Sequence, residues 1–260
     1  MELLFLGTGA ADFSPALSTP EGESLANKSL RRSTSTLIDG KILVDCGPHT
    51  PACLRLNGVD PARITDVLFT HFHSDHYDPD SLAAVAAAGS RPLRVWYRKD
   101  GEIPEIPNTV LCPVAIGETF RVSDYTVTAH EANHAAFPLH YSVEKEDCRL
   151  FYGLDGAWLT YGTYYAMRDK KYDAMILDCT VGDYEGDFRL CEHNSVPMLR
   201  MMLKSFATWG VSDDKTLVVA DHIARTLHQS HEELAEVLAR DGMLPAYDGM
   251  RLSVKGRARQ

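Results

Sequence analysis

The chain has 260 residues, 45% of them hydrophobic, enough apolar material for a substantial core, and it reads as one domain over residues 1–260. Its formal charge of −10 works against unassisted binding to nucleic acid, which depends on Lys and Arg at phosphates, but leaves room for a small phosphorylated substrate. Six cysteines without a C-x-x-C pair argue against a disulfide framework and for a reduced, cytoplasmic location; the apolar stretch at Leu3 to Leu6 is too short for a signal peptide or a membrane span.

Short runs rich in Val, Ile, Leu and Tyr, punctuated by Gly, Asp and Asn, predict strands joined by turns. Leu3 to Leu6 opens the fold. Ala11 to Ser33 has no hydrophobic period and reads as a long loop, a candidate lid on the substrate side. Its basic pair, Arg31-Arg32, either meets a substrate's outer phosphates or is simply solvated. Thr36 to Ile38 and Ile42 to Val44 form a predicted hairpin across Asp39-Gly40, residues suited to positive backbone dihedrals. Asp80 is the expected cap of a helix over Ser81 to Ala88. Further strands are expected at Thr126 to Ala129, Tyr141 to Glu144, Leu150 to Gly153, Ala174 to Leu177 and Leu217 to Ala220, with a last one at Arg251 to Val254. Asn194 opens an amphipathic stretch through Trp209, and Ser230 with Glu233 makes a capping-box pattern before Glu232 to Ala239.

The densest chemistry is Thr70-His71-Phe72-His73-Ser74-Asp75-His76, directly after the apolar run Ile64 to Phe69. Three imidazoles and a carboxylate at a strand end suit zinc, manganese or iron, and the lack of cysteine in the cluster argues against a closed structural zinc site. Open coordination positions point to catalysis.

Gly7-Thr8-Gly9, the segment Leu43 to Gly47 and the Thr70 to His76 run resemble the metallo-β-lactamase superfamily. In that family's order follow Ala132-Asn133-His134, the run Phe151 to Asp155 and the run Val218 to His222. The resemblance implies an α/β (α+β) fold, a four-layer αββα sandwich with the chemistry on strand-end loops. It also implies a centre for two divalent transition-metal ions, zinc or manganese with iron as a further choice. His71, His73 and His134 would hold one ion and Asp75, His76 and His222 the other, with Asp155 and a hydroxide bridging. Asp221, His228 and His231 are local alternatives to His222. Asp45 would orient the histidine loop, an ordinary turn aspartate being the alternative, and His130 and His140 read as packing residues.

Within the superfamily the chain resembles the PhnP-type cyclic phosphodiesterases at Met175 to Thr180, Glu192-His193-Asn194 and Tyr247 to Met250. It departs from them in having no cysteine between Ala11 and Ser33. This resemblance makes Asp75 and His193 catalytic: Asp75 helps to orient the nucleophile, and His193 is a general acid or phosphate-binding group unless it is only a solvated residue before a helix. The expected substrate is a small cyclic or linear phosphodiester. Alternatives are a ribonuclease Z-like RNA-processing endonuclease, a hydrolase of a carbon-centred ester, thioester or lactone, and a non-enzymatic metal-binding accessory protein. No membrane partner is expected, and a homodimer is compatible with the sequence.

Overall fold

A computed structural model describes residues 1–257. Two seven-stranded sheets form its centre. The first holds β1 (Glu2–Gly7), β2 (Ser35–Ile38), β3 (Ile42–Val44), β4 (Asp66–Leu68), β5 (Leu93–Arg98), β6 (Thr109–Val114) and, at its other edge beside β1, β14 (Arg251–Ser253). The second holds β7 (Thr119–Val122), β8 (Tyr125–Glu131), β9 (Leu139–Lys145), β10 (Cys148–Gly153), β11 (Ala174–Asp178), β12 (Leu217–Asp221) and β13 (Met243–Pro245) in spatial order. Pro113 and Pro245 both lie in edge strands, where a missing N–H does not interrupt a ladder on both sides.

Both faces of each sheet are covered, so many strands are buried throughout instead of alternating. The inner faces meet through Phe5, Val44, Leu68, Tyr141, Leu150, Tyr152, Ile176 and Val219. On the outer face of the first sheet Leu4, Leu43, Val67 and Val95 pack under α1 (Thr50–Leu56) and α2 (Pro79–Ala88) through Leu54, Leu82 and Val85. On the outer face of the second, Met175, Leu177 and Val218 meet α3 (Tyr161–Met167), α4 (Val196–Thr208) and α5 (His231–Ala239). The layers are therefore helix, sheet, sheet, helix, the sandwich that the sequence resemblance implies.

Elements differ from expectation in definable ways. The short α1 and α3 and the strands β5, β6, β7 and β13 were not anticipated. The seven residues of α1 cannot display a helical period, and β6 contains Cys112-Pro113. Asp78, not Asp80, caps α2: Pro79 starts the helix, and Asp78, extended at φ −131°, accepts from Ser81 N. Ser195, not Asn194, caps α4, because the Asn194 side chain is already committed to Trp158 N and Gly156 O. Ser230 and Glu233 do form a full capping box, with α5 starting one residue earlier, at His231.

Residues Ala11 to Ser33 contain two short 3-10 turns, Pro15–Ser18 and Pro20–Glu23, and are pinned at both ends. Asp12 accepts from Arg225 N, Thr226 N and Thr226 Oγ1, while Arg31 and Arg32 are buried. Both readings of that pair, substrate contact and solvated charge, are corrected. Arg32 Nη1 lies 3.0 Å from Asp248 Oδ2 in a buried ion pair, and Arg31 donates to Thr8 Oγ1 and Ala246 O. Gly7 allows this seam to close, since a side chain there would strike the Ser33 carbonyl.

Candidate metal centre

Three of the residues that shape the centre leave their strands through the same backbone device. Asp45 after β3, Asp155 after β10 and His222 after β12 have φ of 62°, 52° and 57°. Left-handed conformations are costly for side-chain-bearing residues, roughly 1–3 kcal/mol each, and gather where function over-determines the backbone. Here the kink turns each chain end away from its strand direction beside the Thr70 to His76 loop. That loop lies tightly on the segment after β3. Cys46 N donates to His76 O, and Gly47 admits the Asp75 carbonyl where a side chain would strike it.

The predicted ligands converge as two groups. His71, His73 and His134 form one and Asp75, His76 and His222 the other, the donor atoms within each group lying within 4.8 Å of one another. In the first, His73 Nδ1 is 3.0 Å from His71 Nε2 and 3.1 Å from His134 Nε2. In the second, His76 Nε2 is 3.0 Å from His222 Nε2, and Asp75 Oδ2 is 3.3 Å from the latter. Asp155 stands between them: Oδ1 is 3.6 Å from His134, whereas Oδ2 is 2.8 Å from His76 and 3.2 Å from His222.

Partners on the far side of four of these rings set the nitrogen that faces inward. His76 Nδ1 donates to Asp45 Oδ2 (2.8 Å), and His134 Nδ1 donates to Glu192 O (3.2 Å). His71 Nδ1 donates to Thr70 Oγ1 (3.0 Å), whose hydroxyl donates in turn to Asp45 Oδ2 (2.8 Å). On the other sheet His222 Nδ1 donates to Thr180 Oγ1 (2.7 Å), which donates to Asp178 Oδ2 (3.0 Å). The inward nitrogens are thereby left with lone pairs aimed at one another.

Lone pairs about 3 Å apart repel unless a cation lies among them. Asp155 Oδ2 is also buried with no oriented hydrogen bond, despite its short approach to His76. The donor set, five imidazoles and two carboxylates, fits two borderline divalent cations, and the residues present therefore suit the metal ions that the fold implies. Without cations the carboxylates recruit protons instead. Burial opposes charge on His76, but Asp155, Asp75 and Asp45 outweigh it and hold its pKa well above the ordinary value. Burial keeps His71 neutral.

His193 lies outside both of these groups, but its ring also gathers with Asp155, Asp178 and His222 and with His134 and Glu192. Its Nδ1 donates to Asp178 Oδ2 (2.9 Å) and lies 3.5 Å from Asp155 Oδ1. Burial disfavours the imidazolium, but Asp178, then Asp155 and Glu192, overcome that and raise its pKa to about 9. His193, His73, His134, Asp75, Asp155 and His222 share one cavity of about 330 Å³ with Ala11 and Asp12, so the start of the long loop does border the site.

The alternatives to His222 point elsewhere. His228 Nε2 donates to Cys179 O, His231 Nδ1 faces Arg31 Nη2 at 3.2 Å, and Asp221 accepts from His222 N. His130 and His140 are buried in the second sheet, and burial lowers their pKa values to about 3 and about 4. Sequence reasoning missed Thr70 and Thr180 as connectors and Arg189 in the cavity wall. The spacing Asp178-Cys179-Thr180, which lets the threonine reach back to its own carboxylate, was the signal available.

The β-lactamase superfamily domain model matches residues 41–213. The chain belongs to that superfamily. Residues 1–79 also match the model described as anti-Pycsar protein Apyc1. Among curated proteins, ribonuclease BN of Enterobacter sp. (strain 638) is 29% identical over 169 residues, 56% of this chain and 50% of that protein. The chain thus spans about half the length of the curated relatives it matches. Solved structures share the superfamily fold over nearly the whole chain. A diphosphatase from the PhnP family gives a TM-score of 0.70 at 17% identity, covering 96% of each chain. Human tRNase Z, short form, gives 0.67 at 19% identity, covering 98% of this chain and 100% of that one.

Proposed function

We propose that this superfamily member is a hydrolase of small cyclic or linear phosphodiesters that works with two divalent cations. Asp155 carries the proposal: its two oxygens face the two ligand groups separately, the arrangement a bridging carboxylate needs. His71, His73 and His134 would hold one ion, and Asp75, His76 and His222 the other. When bound, such a pair supplies Lewis acidity for phosphoryl oxygens and water that is acidic near pH 7.

The chain's own residues supply the rest. Asp75 and Asp155 would balance the charge of bound cations. His193, protonated at neutral pH with Nδ1 tied to Asp178, has Nε2–H left to give a proton to the departing alkoxide. The cavity of about 330 Å³ favours a small substrate. The six cysteines are free thiols, which suits a reducing compartment, and no helix among the described residues is long and apolar enough to cross a membrane.

A second reading, RNA processing, is favoured by the ribonuclease relatives and disfavoured by the charge of −10. The deciding test measures one zinc- or manganese-loaded preparation against cyclic nucleotides, a ribose cyclic phosphate, precursor transfer RNA, a chromogenic lactam and a glutathione thioester. Highest kcat/KM on a small phosphodiester is expected. A wide preference for the lactam or thioester overturns the phosphodiesterase reading, and one for the transfer RNA replaces the small substrate with RNA.

A further inference from the structure

Phe188 is 82% exposed, the most open of the large apolar side chains. Scattered exposed apolar residues are ordinary, but this one opens the 3-10 turn Phe188–Cys191, whose next residue faces the cavity of the candidate centre. Its neighbour Arg189 lines that cavity and is the one Arg or Lys among the described residues that do so. The guanidinium carbon lies 5.0 Å from the centroid of the Phe188 ring. Arg189 is held there by a forked pair to Asp187, Nε to Oδ1 at 2.8 Å and Nη2 to Oδ2 at 2.7 Å, and Asp187 also caps the turn by accepting from Arg189 N. Nη1 has no partner among the described residues. A planar cation in the cavity wall, held by its fork to Asp187, thus leads directly to an open aromatic ring beside it.

We propose that Phe188 and Arg189 form a stacking platform that receives a nucleobase carried on the substrate's sugar, making the preferred substrate a nucleotide-type diester and not a bare sugar cyclic phosphate. A nucleobase offers a flat π-face to the ring and acceptor atoms to the free Nη1–H. Aromatic stacking tolerates any base, so the platform selects for the presence of a base more than its identity. The choice of substrate rests on the phosphodiesterase reading. The platform does not, because binding alone reports it.

The experiment has a kinetic and a binding arm. Metal-loaded protein is assayed on uridine 2′,3′-cyclic phosphate and on methyl riboside 2,3-cyclic phosphate, which keeps the diester and drops the base. Affinities for uridine 5′-monophosphate and ribose 5-phosphate are measured by calorimetry. The base is expected to improve kcat/KM and affinity by roughly tenfold or more, the scale of one base–aromatic stack. Phe188→Ala should abolish that advantage through KM, Phe188→Trp should keep it, and Tyr161→Ala, at another open aromatic, should keep it too. Equal affinities for the two monophosphates in the unaltered protein, or an advantage that survives Phe188→Ala, overturns the platform. Base-dependent binding with neither diester cleaved keeps the platform and sinks the phosphodiesterase reading instead.

Discussion

Asp45 and Asp178 occupy equivalent stations in opposite sheets, one just after β3 and the other closing β11, yet they serve the centre differently. Each holds one imidazole directly and a second through a threonine: His76 and, through Thr70, His71 on the first; His193 and, through Thr180, His222 on the second. Both rings on Asp45 point into the ligand cluster. On Asp178 one ring does so, while the other borders the cavity with its side chain 16% exposed. The charge balance differs accordingly. Burial raises the Asp45 pKa beyond what His76 and Thr70 recover, whereas at Asp178 burial is outweighed by His193 and His222 and the pKa falls. The same relay can therefore hold two proposed ligands, or one proposed ligand and the proposed proton donor, depending on where the second ring is allowed to stand.

The comparison breaks most completely at Asp155, on which both halves converge. Asp155→Ala removes the carboxylate between the two groups, and turnover should fall by about a thousandfold or more, the scale of losing a preorganised charge in a dry site. Elemental analysis should find about two ions per chain in the unaltered protein and fewer in the variant. Two tightly held ions in Asp155→Ala would remove the bridge from the account. His231→Ala, which changes a ring facing Arg31, should leave the ion content alone.

His193→Ala tests the proposed proton-donor half of the Asp178 station. Both ions should remain, with turnover down roughly a hundredfold on a diester with a poor leaving group and less on a nitrophenyl ester, as general acid catalysis requires. Equal losses on both esters would assign His193 to phosphate binding. The sign of the pH effect follows from its raised pKa. In metal-free protein the His193–Asp178 pair stabilises the fold fully below the unfolded histidine pKa of about 6.5, and this contribution disappears as pH rises through about 9. Thermal unfolding of apo protein across that window should show the loss, and His193→Ala should flatten it. Added cations repel the imidazolium, so the alkaline limb of turnover should lie below pH 9.

How much of this was legible beforehand follows from sequence distance. The Thr70 to His76 cluster was readable because its ligands are contiguous, and His134, Asp155 and His222 only through their order after particular strands. Thr180 holds a ring 42 residues away, a pairing that no local pattern displays. Arg31-Arg32 looked like a solvated charge because the partner that buries Arg32, Asp248, lies 216 residues on. Strands buried on both faces read as plain apolar runs and were found. The missed β6 and β7 form one edge of each sheet, where half-exposed strands mix polar residues and a proline into the pattern.

A smaller contrast separates the two stations themselves. Asp45→Asn weakens the outer partner of two proposed ligands, Asp178→Asn that of one proposed ligand and the proposed proton donor. Loss of such support costs about 10- to 100-fold in metal affinity or activity. Asp45→Asn should show its loss mainly as zinc affinity in a competition titration, and Asp178→Asn mainly as turnover at saturating metal. The reverse pattern would contradict the division of labour between the two aspartates.

The finest test exchanges only the connecting hydroxyl. Thr180→Val keeps the shape of the side chain but leaves His222 Nδ1–H without its acceptor in a buried setting, and Thr70→Val does the same to His71 while also removing one of the bonds to Asp45. A single hydrogen bond contributes about 1 kcal/mol net, so each variant should lose roughly fivefold in zinc affinity, less than either aspartate variant. The serine versions retain the hydroxyl and should recover most of it. Because Asp178 also grips His193 directly, Thr180→Val should leave the leaving-group dependence of turnover intact even as metal binding weakens. If that dependence changes with the metal affinity, the threonine holds the acid as well as the ligand, and the 3.1 Å approach of Thr180 Oγ1 to His193 Nδ1 becomes the contact to alter next.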